Sequence, residues 1–138
     1  MSDKAFLDTN ILLYCFDGND SKKQEMARVL VNSLLESDRG IISTQTLQEY
    51  FNAVTKKMKC DKKAALKDVK WYSESFPVHV NTVKDILCAV GISIKTGFSF
   101  YDSLIIAAAK AEGCKIVYSE DLNDGQVVDG VKIVNPFK

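Results

Sequence analysis

Ala5-Phe6-Leu7-Asp8-Thr9-Asn10 is a short apolar run closed by an acid and followed at once by a second apolar stretch. Lys4 to Asp8 reads as a short buried strand, ended by its polar residue. Thr9 to Phe16 reads as a helix, with Ile11, Leu12, Tyr14 and Cys15 available for packing. A strand that passes directly into a helix is the opening move of an α/β unit, and the rest of the chain repeats it.

Working outward, Asp17-Gly18-Asn19-Asp20 is a turn. Ser21 to Ser37 has helical spacing at Met26, Val29, Leu30 and Leu34. Gly40-Ile41-Ile42-Ser43 is a short strand. The helix from Gln45 to Lys56 carries Leu47, Tyr50, Phe51 and Val54 on one stripe, which leaves Glu49 on the far side, facing solvent or a cleft. Asp61 to Ser75 is helical, with Ala65, Leu66, Val69 and either Trp71 or Tyr72 on its apolar side, and Pro77 ends it. Val78 to Val80 reads as a strand. Thr82 to Thr96 is helical, with Val83, Ile86, Leu87, Val90 and Ile94 in register. Tyr101 to Glu112 is apolar nearly all round, the mark of a buried central helix, and Gly113 is a good C-cap. Lys115 to Tyr118 and Val131 to Val134 are strands. Strands alternating with helices argue for an α/β domain around a mainly parallel sheet.

A chain of 138 residues fits one domain, 1–138, and buries enough surface to fold without disulfides or a structural metal. The start, Met1-Ser2-Asp3-Lys4, has no basic segment ahead of a long apolar one, so it does not read as a signal peptide. No apolar stretch reaches membrane-spanning length. The expected location is the cytoplasm. The four cysteines are scattered and there is one histidine, which argues against zinc and against a nucleophilic triad. His79 reads as structural. Net charge is zero, unlike a protein that coats DNA.

Four acids stand where elements begin or end. Asp8 closes the first strand. Glu49 lies on the polar side of a helix. Asp102 sits in the first turn of Tyr101-Asp102-Ser103-Leu104. Asp121 follows Ile116-Val117-Tyr118 in Ser119-Glu120-Asp121-Leu122. In open α/β sheets ligands bind outside the carboxyl ends of the strands; that rule puts Asp8 and Asp121 on one rim, and Asp102 joins them if its helix is a crossover packed on the sheet. Two carboxylates at about 5 Å in an effective dielectric near 20 repel by about 3 kcal/mol. A rim of this kind calls for a cation, and oxygen-only ligands suit Mg²⁺ or Mn²⁺. Each acid has an ordinary alternative. Asp8 can cap the helix after it, Asp102 can close a capping box with Ser99, Asp121 can be a turn residue, and Glu49 can be an exposed helix glutamate. The case for a site rests on the four together.

In this order the segments Phe6-Leu7-Asp8-Thr9-Asn10, Gln48-Glu49, Tyr101-Asp102-Ser103-Leu104-Ile105-Ile106-Ala107-Ala108-Ala109 and Val117-Tyr118-Ser119-Glu120-Asp121-Leu122 resemble the PIN domain family, and within it the VapC-type toxin nucleases of prokaryotic toxin–antitoxin pairs. The two aspartate segments are the more specific. The resemblance implies a three-layer α/β/α PIN-like domain with a short, mainly parallel central sheet. It implies a Mg²⁺-dependent endoribonuclease, with Mn²⁺ as an alternative ion. Asp8, Glu49, Asp102 and Asp121 would be its catalytic and metal-holding residues, and Asp8 and Asp102 its firmest ligands. Glu120 and Asp124 flank Asp121 and are alternatives to it.

Thr9 and Ser119 would orient the carboxylates, or else cap a helix or turn. RNA would be held through phosphate contacts by lysines such as Lys22, Lys23, Lys56 and Lys57; a solvated helical face is their ordinary alternative. Products would carry 5′-phosphate and 3′-hydroxyl ends. The resemblance also implies a cognate antitoxin protein over the cleft and a homodimer. Leu13, Tyr14 and Phe16 are candidates for partner surface or for core. A haloacid-dehalogenase-like phosphatase wants a second Asp two residues after the first, where this chain has Asn10. The competing class is a catalytically inert PIN-like module that binds RNA or protein.

Overall fold

The computed structural model describes residues 3–138, so Met1 and Ser2 of the leading segment lie outside it. Strand β1 (Ala5–Leu7) runs into α1 (Thr9–Phe16), followed by α2 (Ser21–Glu36), β2 (Gly40–Ser43), α3 (Thr44–Lys56), α4 (Lys62–Ser75), β3 (Val78–His79), α5 (Val83–Thr96), α6 (Phe100–Ala111), β4 (Ile116–Tyr118), β5 (Val127–Val128) and β6 (Val131–Val134). Each helix starts behind an Asp, Ser or Thr whose side chain accepts a hydrogen bond from a first-turn amide: Asp8, Asp20, Ser43, Asp61, Thr82 and Ser99. These caps satisfy amides that the helix itself leaves unpaired.

The strands form one sheet in the order β3-β2-β1-β4-β6-β5. All neighbouring pairs are parallel except β5 with β6. Alternate side chains of a strand face opposite layers, and the core divides accordingly. Ala5 and Leu7 of β1 pack with α1 to α4, together with Ile11, Val31, Ile42 and Tyr50. Phe6, between them, packs with α5 and α6, together with Ile92, Ile106, Val117 and Ile133. The result is three layers, with a mainly parallel sheet between two helical layers. Helix α6 is buried from Ser103 through Ala109, as its sequence predicts. Gly113, at φ 73, donates its amide to Lys110 O at 3.0 Å behind α6.

Several expectations need correction. The α5 stripe does not face the core: Val83 is 71% exposed, Leu87 67% and Ile94 82%. Asp85, Ala89 and Ile92 are the buried residues of that helix. They lie at helical spacing on the opposite side, where Ala89 and Ile92 pack with α6. In α4, Ala65 and Tyr72 are buried whereas Leu66 and Trp71 are exposed. Val29 of α2 is exposed as well. Strand β5 has no counterpart in the sequence reading. At two residues it is too short to display alternation, and it is held as a hairpin on β6 across Asp129 and Gly130, both at positive φ. Strand β3 stops at His79, so Val80 is not part of it.

Candidate active site

The parallel strands β1 and β4 are neighbours, yet the chain leaves β1 in the other direction, toward β2. Their carboxyl ends therefore form the switch point at which open α/β sheets bind ligands. Asp8 follows β1 and Asp121 lies just beyond β4. The backbone ties the two ends together, Asp8 N donating to Tyr118 O at 3.0 Å, and Ser119 N ties the end of β4 to β6 by donating to Val134 O at 3.0 Å.

A cleft of about 360 Å³ opens here, lined by Asp8, Thr9, Asn10, Glu49, Asp102 and Asp121 among others. Lys56 and Lys57 line it as well. All four nominated acids thus share one cleft, and two cations stand beside them. Lys22 and Lys23 are not among its lining residues. Lys23 is instead ion-paired with Glu120 and stands over the Tyr14 and Phe137 rings. Leu13 also lines the cleft, Tyr14 packs against Phe137, and Phe16 is 37% exposed.

Hydrogen bonds fix the carboxylates. Asp8, 4% exposed, accepts from Thr9 N at 2.7 Å on one oxygen and from Ser119 Oγ at 2.7 Å on the other. Thr9 Oγ1 donates to Glu49 Oε1 at 2.6 Å, and Gln45 Nε2 lies 3.3 Å from Glu49 Oε2. Both hydroxyls nominated from sequence therefore touch a site carboxylate. Ser119 Oγ also accepts from Asp121 N at 3.2 Å, which fixes the backbone that carries Asp121.

Asn10 went unrecognised in the sequence although it follows Asp8-Thr9 directly. Its Nδ2 lies 3.2 Å from Asp8 Oδ2 and 3.0 Å from Asp121 Oδ2, bridging the two acids. An amide donor between two carboxylates was the available signal, but it becomes readable only once β1 and β4 are known to be neighbours.

The acids beside Asp121 have other partners. Glu120 accepts from Tyr14 Oη at 2.6 Å and pairs with Lys23. Asp124 accepts from Asn135 N at 2.8 Å in the turn before β5. Asp102 does not complete a capping box: its amide donates to Ser99 Oγ at 3.2 Å, while the reciprocal bond found in the true boxes of α3 and α5 is missing. Its carboxylate has no hydrogen-bond partner among the described residues and is left for the cleft.

Burial drives the Asp8 pKa up to about 7, against the bonds from Ser119 and Thr9 that favour the charged form; Glu49 and Asp121 push it higher still by repulsion. Buried charge beside like charge is the condition a bound cation relieves. As the side chains are placed, no group of three acids, histidines or cysteines among the described residues is arranged to hold an ion. The donor set fits a hard divalent ion nonetheless. The available donors are all oxygens, Asp8 is in no ion pair among the described residues, and neither Asp102 nor Asp121 is buried.

A family model described as "PIN domain" matches residues 5–126. The chain belongs to the PIN domain family. No curated protein sequence matches it significantly. Among solved structures it is similar to a DNA-bound VapBC complex of Salmonella typhimurium (22% identity, TM-score 0.70, covering 96% of this chain and 97% of that one). It is also similar to a toxin–antitoxin complex of Klebsiella pneumoniae (18%, 0.71, 96% and 98%). A third likeness is to VapC20 of Mycobacterium tuberculosis, described as a sarcin-ricin loop cleaving toxin (18%, 0.68, 86% and 90%). At these identities the likeness is one of fold.

Proposed function

We propose that this chain is a metal-dependent endoribonuclease, the toxin component of a type II toxin–antitoxin pair acting in the cytoplasm. The observation that carries this reading is Asp8: a buried carboxylate at the sheet's switch point, with Glu49, Asp102 and Asp121 lining the same cleft. Asp8 and Asp102, with Glu49 and Asp121, would hold Mg²⁺, or Mn²⁺ in its place. Such an ion supplies activation of water and neutralisation of charge at a phosphodiester.

The chain's own residues prepare the site. Ser119 and the Thr9 amide hold Asp8 in one orientation, Thr9 Oγ1 does the same for Glu49, and Asn10 keeps Asp8 and Asp121 in step. Lys56 and Lys57, at the cleft wall, would meet RNA phosphates through contacts that weaken with salt.

The toxin role is supported by the fold shared with proteins named as toxin–antitoxin complexes. An antitoxin partner follows from it. A homodimer is the reading for the uncovered α5 face. Val83, Leu87 and Ile94 are exposed along it, and an apolar helix face can meet its own copy about a twofold axis.

Incubation with total RNA plus Mg²⁺, with and without EDTA, tests the activity. Cutting that EDTA abolishes and that Asp102→Ala lacks is expected, with 5′-phosphate and 3′-hydroxyl ends. RNA left intact in every metal condition moves the assignment to the second reading, an inert PIN-like binding module. What favours that reading is the side-chain placement: among the described residues no three acids stand close enough to hold an ion as they are.

A further inference from the structure

Beside the acidic cleft lies a second recess of about 280 Å³, lined by Gln48, Glu49, Asn52 and Tyr101. It shares Glu49 and Asn52 with the cleft, so the two adjoin. Its most exposed large group is the Tyr101 ring, 63% accessible, one residue before Asp102. The ring stands edge-on to Phe100, with centroids 5.2 Å apart at 75°, and Phe100 packs against the α6 side of the core.

The Tyr101 backbone is tied to the site too: Gln45 Nε2 donates to Tyr101 O at 3.0 Å and lies within bonding reach of Glu49. Opposite the ring, Gln48 and Asn52 lie one turn apart on α3, both exposed. Each amide offers donors and an acceptor. No hydrogen bond occupies either amide group among the described residues.

We infer that this recess receives an unstacked base of single-stranded RNA next to the scissile phosphate, stacked on Tyr101 and read at its edge by Gln48 and Asn52. This rests on the nuclease reading and deepens it. Sequence-specific RNA recognition works on splayed bases, through aromatic stacking and polar contacts to their edges. An exposed aromatic on a rigid base loses little freedom when it stacks. The position beside Glu49 couples the choice of base to the place of cutting. Duplex RNA, with its bases stacked inside, cannot offer one to this recess.

The test uses the whole protein and short single-stranded RNAs carrying 2-aminopurine at each position in turn, in EDTA so that binding is seen without cutting. One position is expected to lose fluorescence on binding. The quench persists in Tyr101→Phe and disappears in Tyr101→Ala, which binds about 5- to 150-fold more weakly, as the loss of one base–aromatic stack implies. In Mg²⁺, Gln48→Ala and Asn52→Ala broaden the preferred base at the cut site. Tyr101 is exposed, so folding is expected to survive, and circular dichroism checks it.

Normal cutting with no Tyr101-dependent quench overturns this inference and leaves the nuclease reading standing. Cutting of duplex as readily as of single strands overturns it likewise. Weakened binding of a protein partner by Tyr101→Ala, with RNA binding unchanged, replaces the base by a protein contact and overturns it. Neither binding nor cutting of any RNA overturns both.

Discussion

Asp8 serves three purposes at one position. It ends β1, caps α1 through the Thr9 amide and presents a buried carboxylate to the cleft. Capping is the ordinary explanation for an aspartate there, and it is correct, but it does not account for the second oxygen, which Ser119 and Asn10 engage. Ser119 is fully buried and bonds to Asp8 while receiving the Asp121 amide. Ser119→Ala is therefore expected to reduce RNA cleavage about 10- to 100-fold, the usual effect of losing an outer-shell partner. Its melting temperature changes little in comparison. Equal loss of activity and fold, followed by cleavage assay and thermal melting, would contradict this role. At this scale the chain order of the acids was legible, because Asp8 and Asp121 follow strands, Asp102 opens a helix and Glu49 lies on the polar side of one. The Asn10 bridge was not: it joins positions 111 residues apart and exists only because β1 pairs with β4.

Among the elements, α5 shows where periodicity stops informing. Two apolar sides coexist on one helix. Ala89 and Ile92 face α6, while Val83, Leu87 and Ile94 face out. Spacing alone identifies a stripe without saying what covers it. His79, read as structural, clips three elements together. It sits between Asp85 Oδ2 at 2.7 Å on α5 and Glu112 Oε2 at 2.6 Å behind α6.

Burial opposes the charged His79 ring, but the bonds to Glu112 and Asp85 outweigh it and raise the pKa above its ordinary 6.5. Burial likewise opposes charged Asp85, yet bonds from Thr82 and His79 lower its pKa below 3.8. The sign follows. Stabilisation by His79 is complete below its unfolded value and is lost as pH rises through the folded one, while that from Asp85 is lost only as pH falls below its unfolded value. Between about pH 4 and 6.5 both contribute. Urea unfolding is expected to show a larger stability difference between wild type and His79→Gln at about pH 5.5 than at alkaline pH. A pH-independent difference would contradict the clip.

At the start of β2, a Cβ on Gly40 would lie 2.6 Å from Phe76 Cε1 and 3.2 Å from Leu34 Cβ. Phe76 is buried against Tyr72 and has nowhere to move. Gly40→Ala should cost about 1–3 kcal/mol, measured by denaturant unfolding. An unchanged midpoint would show that β2 and α4 are less closely packed.

For the molecule as a whole, alternating strands and helices made the α/β class and the parallel sheet legible, because the apolar runs are short and the caps are strong. The antiparallel β5–β6 hairpin and the outward α5 face were not, since two-residue strands and uncovered stripes depend on neighbours that a sequence does not display. The uncovered face carries its own prediction. Light scattering should find a dimer for the wild type, and Leu87→Asp with Ile94→Asp should return a folded monomer. A monomeric wild type at tens of micromolar would remove the α5 interface.

The central claim is that four acids from distant parts of the chain form one site for a divalent ion, and isothermal titration with Mn²⁺ tests it most directly. The wild-type protein is expected to show saturable binding that Asp8→Asn and Asp102→Asn each abolish while remaining folded. Absence of binding by the wild type, or binding that survives both substitutions, would contradict it.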